Sequence, residues 1–355
     1  MKRPCAPPGG ERPVRGSFAL ALAIAASDVH AQPRPRRPSC TTTLHPLADL
    51  DADPSAPGLL GLHARGGLLV YRDRAGALRS YALDASWRRQ GEVREFAHPV
   101  GPFTGVGDRG GLAALYLERE RELVLARLGP EGEALNVPRV LARVEGPVGS
   151  LALTRTAWGF VAAWGSAAAV SFLALDRSGV PSTPVRVLPG ASAPSLSWLP
   201  SASLAVLRVT LPNGEGLALT LDPTATETSR LRWPSGVQGP VDLPSGTYVA
   251  HRSAQGPSLV RVPSGGPVPE EPDDAPGTRT LWVSVGEGEL VGVVEREGEA
   301  RATAGLLSPS GAVAVFASLH LSPWASALGP RPSLVVLGRD GQRRWSLAEV
   351  RCQGP

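Results

Sequence analysis

The sequence lacks the patterns that build helices. Across its 355 residues, no stretch beyond the N-terminus keeps apolar residues at the i, i+3, i+4 spacing of an amphipathic helix. Gly (41) and Pro (36) together make up about a fifth of the chain. Because both residues interrupt helices and favour turns, the composition predicts an all-β protein of many short strands.

The common sequence signatures of catalysis are also missing. There is no Gly-x-Ser-x-Gly nucleophile elbow, no phosphate-binding loop and no Cys-x-x-Cys. Ser and Asp are plentiful, but no spacing places a His beside either. These absences favour a non-catalytic protein without a cofactor or metal.

The net positive charge of the chain comes from the N-terminus, and Lys2 is the only lysine. Residues 1–39 hold seven Lys or Arg and two acids, a net of 7 − 2 = +5. The whole chain carries +4, so residues 40–355 carry 4 − 5 = −1. A nearly neutral body lacks the basic surface that nucleic-acid binding requires, so we expect no nucleic-acid partner.

The N-terminus has the layout of a signal peptide. Four basic residues lie within residues 1–15, Phe18–Ala26 is a short apolar run, and Val29-His30-Ala31 puts small residues at the −3 and −1 positions of a cleavage site. We therefore expect a signal peptide at 1–31, a flexible Pro/Arg-rich lead-in at 32–39, and export to the periplasm or the extracellular space. The alternative is a disordered Pro/Arg-rich tail on a cytosolic protein.

Two short motifs recur along the chain at one period. In the first, a small residue or turn leads into three to five apolar residues, and Trp158–Gly165 is the clearest copy. Further copies begin at Gly67, Gly111, Ser203, Gly246, Gly288 and Pro332; with the copy at Gly159 included, the steps are 44, 48, 44, 43, 42 and 44 residues. The second motif is an apolar run ending in a turn, such as Ala82-Leu83-Asp84, and it repeats in phase with the first.

A period of about 40–45 residues made of short strands resembles the β-propeller superfamily over residues 40–355. The resemblance implies a single domain, a seven-bladed β-propeller of four-stranded antiparallel blades. No single family is indicated: the Trp-Asp dipeptide is absent, and Asp340–Trp345 has the wrong spacing for a sialidase-like turn. Six or eight blades are the alternatives if blade five is miscounted, since Pro269–Pro276 leaves its outer strand in doubt.

The chain supplies only three strands to blade seven, and Thr41–Leu44 can provide the fourth. The N-terminal strand would then join the C-terminal blade and close the ring. In that pairing Cys40 lies near Cys352, which predicts a structural disulfide in an exported chain. We expect a monomer.

One uncharged segment has the length of a membrane-spanning helix. Residues 156–175 are twenty in a row without a charge, long enough to span a bilayer. Seven alanines, a central Gly165-Ser166 and the fit to the repeat favour a hairpin of two buried strands. We therefore expect no membrane span in the mature chain.

Two patterns that suggest a metal are weak. His45, His98 and His320 fall at equivalent outer-strand ends, where a strand-end turn is the simpler explanation. Asp49-Leu-Asp51-Ala-Asp53 copies the first positions of a calcium loop, but Pro54 and Leu60 replace the required Gly and Glu. The alternative function is nevertheless a calcium-assisted hydrolase or lyase at the mouth of the central channel, using these acids.

The turns between the second and third strands differ in charge from blade to blade. They are charged in blades six, seven, one and two and nearly uncharged in the other three. We predict that this charged arc binds a protein or a glycan. The alternative is that the charged turns are simply solvated hairpin tips. The candidate binding residues are Arg72, Asp73, Arg74, Arg119, Arg296, Arg339, Asp340 and Arg343.

Overall fold

The computed structural model describes residues 39–108, 111–199, 202–233, 241–243, 245–253, 256–261, 281–285, 291–298, 301–307, 315–328 and 333–353. The predicted signal peptide and most of the lead-in lie outside these ranges. Within them, regular structure consists of 27 strands and one 3-10 turn at Arg119–Arg121. The prediction of an all-β protein is confirmed.

The strands of the first half of the chain are β1 (Ser39–Pro46), β2 (Leu59–His63), β3 (Gly66–Arg72), β4 (Leu78–Asp84), β5 (Arg94–Ala97), β6 (Phe103–Asp108), β7 (Gly111–Glu118), β8 (Glu122–Leu128), β9 (Arg139–Arg143), β10 (Val148–Arg155), β11 (Gly159–Ser166), β12 (Ala169–Asp176) and β13 (Arg186–Pro189). Those of the second half are β14 (Ser192–Leu199), β15 (Leu204–Thr210), β16 (Gly216–Leu221), β17 (Glu227–Trp233), β18 (Val241–Leu243), β19 (Gly246–Ser253), β20 (Gly256–Arg261), β21 (Leu281–Val285), β22 (Val291–Gly298), β23 (Arg301–Leu307), β24 (Val315–Leu319), β25 (Leu321–Leu328), β26 (Ser333–Asp340) and β27 (Trp345–Gln353).

These strands form seven antiparallel sheets, the blades of the propeller. Blades one to four are β2–β5, β6–β9, β10–β13 and β14–β17, and blade six is β21–β24. Blade five has three strands, β18–β20, among the described residues. Residues 262–280, which include the Pro269–Pro276 stretch that left the outer strand of blade five in doubt, lie outside the described residues.

Blade seven is completed by the N-terminal strand, as predicted. Its order is β1-β27-β26-β25, and β1 pairs with β27 from Ser39↔Gln353 to Pro46↔Ser346. The innermost strands contact one another in sequence around the ring: β2 with β6, β6 with β10, β10 with β14, β14 with β18, β18 with β21, β21 with β25, and β25 with β2. The ring is therefore closed.

The core lies between neighbouring blades rather than inside any one of them. Leu69 and Tyr71 of blade one pack with Val335 and Leu337 of blade seven, and all four are at most 1% exposed. Similar clusters join blades one and two, two and three, three and four, five and six, and six and seven. Since burial contributes about 25 cal/mol per Å², each blade depends on its neighbours for stability.

The first sequence motif begins with a small residue for a steric reason. Gly159, which opens β11, has φ +156°, and a Cβ there would lie 2.0 Å from the carbonyl oxygen of Leu175. Gly66, the residue before the copy at Gly67, opens β3 with φ +143°, and a Cβ there would meet the Leu83 carbonyl at the same distance. The third strand passes too close to admit a side chain at these positions.

The second motif ends in a turn that an aspartate holds. The Oδ1 atom of Asp176 accepts the backbone N–H of Ser178 at 2.8 Å and of Val180 at 2.9 Å. Asp84 and Asp222 accept the equivalent pairs in blades one and four. A turn of this kind ends the third strand and reverses the chain.

The uncharged segment 156–175 is a hairpin, as predicted. Strands β11 and β12 pair from Gly159↔Asp176 to Gly165↔Val170. Among the described residues, no helix has the length and apolar character needed to cross a membrane.

Candidate functional site

Antiparallel strand order sorts the connections onto two faces. The turns between second and third strands share one face with the blade-to-blade connections, and we call it the loop face. The turns between first and second strands and between third and fourth strands lie on the opposite face. The charged arc predicted from the sequence belongs to the loop face.

In blade one, the structure separates the three predicted residues. Arg74 has a side chain 70% exposed and pairs with Asp51 at 3.3 Å. Asp73 is 4% exposed; its carboxylate accepts the Nε–H of Arg79 at 2.5 Å and the N–H of Ala77 at 2.9 Å. Burial alone would raise the pKa of Asp73, but these hydrogen bonds outweigh it and hold the pKa below its ordinary value.

The Arg72 side chain also makes contacts with the protein rather than with solvent. Its guanidinium donates to the carbonyl of Gly101 and lies 5.4 Å from the ring centre of Phe103 in blade two. Of the three blade-one residues, Arg74 is therefore the one whose side chain is largely exposed to solvent.

In blade seven, too, some of the predicted residues are bound within the turn and one is exposed. Asp340 accepts the backbone N–H groups of Gln342 and Arg344, both at 2.9 Å. Arg339 donates Nε–H to the Arg343 carbonyl at 3.0 Å, and its guanidinium lies 5.7 Å from the Trp345 ring centre. The side chains of Arg343 and Arg344 are exposed. Arg343 is thus the predicted residue that faces solvent here.

The remaining two predicted residues lie in blades two and six. Arg119 is exposed and begins the 3-10 turn Arg119–Arg121. Arg296 lies in β22, opposite Ala302, and its side chain is outside the description.

The acids of the calcium-like sequence have separate partners. Asp49 pairs with Arg89 at 3.3 Å and Asp51 with Arg74 at 3.3 Å. Asp53 accepts the hydroxyl of Ser55 at 2.7 Å, and this bond lowers the pKa of Asp53. In the described part of the chain, no group of three or more His, Cys, Asp or Glu gathers as a metal site would require.

A second charged site, which the sequence did not indicate, lies on the opposite face between blades two and three. It is a pocket of about 250 Å³, and we call it the interblade pocket. Its lining residues are Asp108, Arg155, Thr156, Ala157, Gly159, Phe160 and Arg177.

The interblade pocket is built around one buried carboxylate. Asp108 ends β6 with a side chain 2% exposed; its Oδ2 accepts the Nε–H of Arg127 at 2.8 Å, and the Nη2 of Arg127 lies 2.6 Å from the same oxygen. The Nε of Arg155, from blade three, lies 3.4 Å from Oδ1. Two blades therefore contribute to one ionic cluster.

Arg177 completes the pocket from the turn after β12. Its Nε and Nη2 donate to the carbonyl of Ala157 at 3.1 and 2.9 Å, while its own carbonyl accepts Nη1–H of Arg127 at 3.2 Å. The sequence signal for this site is a charged residue at the end of each first strand, Asp108 and Arg155, a few residues before the glycine that opens the second strand.

Comparisons with known proteins establish the fold and nothing narrower. No protein-family profile matches the chain, and no curated protein sequence matches it either. Among solved structures, the WD40 domain from Toxoplasma gondii coronin superposes with a TM-score of 0.60 at 13% identity, covering 89% of this chain and 87% of that one. Chaetomium thermophilum Raptor gives a TM-score of 0.55 at 10% identity, covering 86% of this chain and 28% of that one. Such similarities show that the chain has the β-propeller fold.

Proposed function

We propose that this protein is a non-catalytic binding module that docks a protein partner on the loop face of blades seven, one and two. The observation that carries the proposal is the set of exposed arginines on consecutive blades of one face. These are Arg343, Arg74 and Arg119, and none of them is buried in its turn. An exposed arc with both signs of charge suits a partner surface of complementary charge, which it would attract and orient.

Site-specific photo-crosslinking tests where the partner sits. A photoreactive amino acid is placed at position 74 or 343 on the loop face, and at Ser86 or Ser178 on the opposite face as the matched control. We expect a discrete adduct, identified by mass spectrometry, from the loop-face positions alone. Adducts from the control positions alone would place the interaction on the other face and refute the proposal.

Charge reversal tests the role of the arginines themselves. In the triple variant Arg74→Glu, Arg119→Glu, Arg343→Glu, we expect capture of the crosslinked partner to fall at least tenfold, with the loss greatest at low salt. Exposed charges contribute little to folding, so the melting temperature should stay nearly constant. The control is a triple reversal of exposed arginines on outer strands, Arg94, Arg139 and Arg186, with the same change in net charge.

We further propose that the module works outside the cytoplasm with a Cys40–Cys352 disulfide. The two residues lie directly opposite each other in the β1–β27 pair, and antiparallel Cα partners fall within the reach of a disulfide. N-terminal sequencing of protein from the native cell should begin near Gln32. A mature chain that retains residues 1–31 in the cytoplasm would contradict export while leaving the docking proposal intact.

A further inference from the structure

We propose that the interblade pocket binds an oxyanion, a carboxylate or a phosphate group, on the face opposite the charged arc. This site is independent of the proposed docking function, because it uses different residues on the other side of the ring.

The charge of the pocket is the first argument. The guanidinium groups of Arg127 and Arg155 contact the single carboxylate of Asp108, and Arg177 lines the same pocket. The local sum is 3 − 1 = +2. Arg127 offsets the Asp108 charge through two short contacts to one carboxylate oxygen, so the positive charge that remains belongs to Arg155 and Arg177.

The donors of Arg155 are the second argument. Its side chain is 40% exposed, and the Nε contact to Asp108 at 3.4 Å is its one ion pair within the described ranges. None of the residues described there accepts a hydrogen bond from its terminal Nη1 and Nη2 groups. A guanidinium held at its Nε end, with both terminal nitrogens unused, presents the fork that matches two oxygens of one carboxylate or phosphate.

The rigidity of the pocket is the third argument. From blade two, Asp108, itself paired with Arg127, pairs with Arg155, and the Ala157 carbonyl accepts two donors of Arg177 within blade three. The donors are therefore positioned before a ligand arrives, which reduces the entropy lost on binding. A volume of about 250 Å³ lies just below the range of drug-sized ligand pockets. It suits a small acid or the last residue of a peptide.

The probes are chosen to separate the possible sources of the oxyanion. They are phosphate, succinate, an acetylated tetrapeptide Ala-Ala-Ala-Glu with a free C-terminus, and the same peptide with its C-terminus amidated. Each is titrated into the protein at constant ionic strength, with binding followed by calorimetry and by the rise in melting temperature that a folded-state ligand causes. Chloride at the same ionic strength is the reference.

We expect saturable binding of at least one probe to the wild-type protein. In Arg155→Met the dissociation constant should rise roughly tenfold to a hundredfold, because the charge-assisted hydrogen bonds are lost. Arg155→Lys keeps the charge but not the fork, so its affinity should fall between the two. Arg94→Met, which removes an exposed arginine from the outer strand of blade one, should bind like the wild type.

The probe that binds identifies the source of the oxyanion. Binding of phosphate or succinate alone indicates a small anion, and loss of peptide binding on amidation indicates a C-terminal carboxylate. Saturation by none of the probes would overturn the proposal. So would equal weakening by Arg94→Met, because the effect would then be one of net charge. Arg155→Met leaves the Asp108–Arg127 pair in place, so the variant is expected to fold; an unchanged affinity in a folded variant would also refute the site.

Discussion

Single glycines and aspartates decide where the strands of this propeller begin and end. Gly159 opens the second strand of blade three at φ +156° beneath the Leu175 carbonyl, and Asp176 closes the third strand by accepting two backbone N–H groups. The glycine is required because a side chain there would clash, and the aspartate ends its strand because its short side chain accepts backbone N–H groups. Their recurrence explains why two sequence motifs share one period.

The steric demand at Gly159 gives a prediction. In Gly159→Ala the new Cβ would lie 2.0 Å from the Leu175 carbonyl oxygen at a backbone angle that L-residues rarely adopt. We expect a loss on the order of 3 kcal/mol in the free energy of unfolding, measured by urea denaturation. Gly149→Ala is the control, since a Cβ there meets no atom within 4 Å. Equal stability of both variants would show that β11 can shift away from β12.

The turn aspartates predict how stability responds to acid. The Ser178 hydroxyl and the Val180 N–H lower the pKa of Asp176, and the Thr224 hydroxyl and the Thr226 N–H lower that of Asp222. In the folded state these groups bind protons less readily than in the unfolded chain, where an Asp titrates near about 3.9. Their stabilisation is therefore complete above about pH 4 and is lost as pH falls through the folded pKa values.

This pH dependence can be isolated with a double variant. Asp176→Asn with Asp222→Asn keeps an acceptor oxygen in each turn but removes its titration. We expect the unfolding free energy of the wild type to fall more steeply than that of the variant below about pH 4, with parallel curves above it. Urea denaturation at a series of pH values measures both. Parallel curves at all pH values would exclude these carboxylates as the acid-sensitive groups.

At the scale of elements, the pairing of β1 with β27 joins the two ends of the domain in one blade. Eight consecutive residue pairs hold it, including Cys40↔Cys352. If the thiols are joined, they close a separation of 352 − 40 = 312 residues. The chain-entropy relation gives an upper value on the order of 5 kcal/mol for such a loop.

The proposed disulfide predicts a specific response to reduction. We expect Cys40→Ser to lower the melting temperature of the mature protein without changing its strand content by circular dichroism. A reductant should lower the wild-type melting temperature by a similar amount and have no further effect on the variant. Two thiols that titrate freely in the native, oxidised protein would contradict the bond.

Elements that repeat were predictable, and contacts between blades were not. Two short motifs recur at one period along the chain, so the sequence alone located seven blades and the strand that completes the last. No repeated motif identifies the pocket residues Asp108, Arg155 and Arg177. They are 47 and 22 residues apart in the sequence, and they come together only when blade three packs on blade two. In the charged arc, sequence identified the right turns, yet Asp73 and Asp340 proved to be bound within them.

At the scale of the whole molecule, stability depends on a ring that has no free end. Every hydrophobic cluster in the described residues draws on two neighbouring blades or on segments that join them. Blade seven combines β1, the first of the described strands, with the last three, β25–β27. The first and last described strands are therefore part of the closure itself, and removing one of them should affect blades one, six and seven together.

A truncated chain that begins at Leu47 tests this dependence. It lacks β1 but keeps Leu47 and Leu50, which pack in the cluster between blades seven and one. Strand β27 would then expose its backbone edge, a surface prone to pair with another chain. We expect a lower urea midpoint and self-association that rises with concentration, measured by analytical ultracentrifugation. A chain beginning at Ser39, which retains all of β1, is the control and should stay monomeric at the same concentrations. If the Leu47 chain is as stable and as monomeric as this control, then a blade seven of three strands suffices, and closure by β1 is not what holds the ring together.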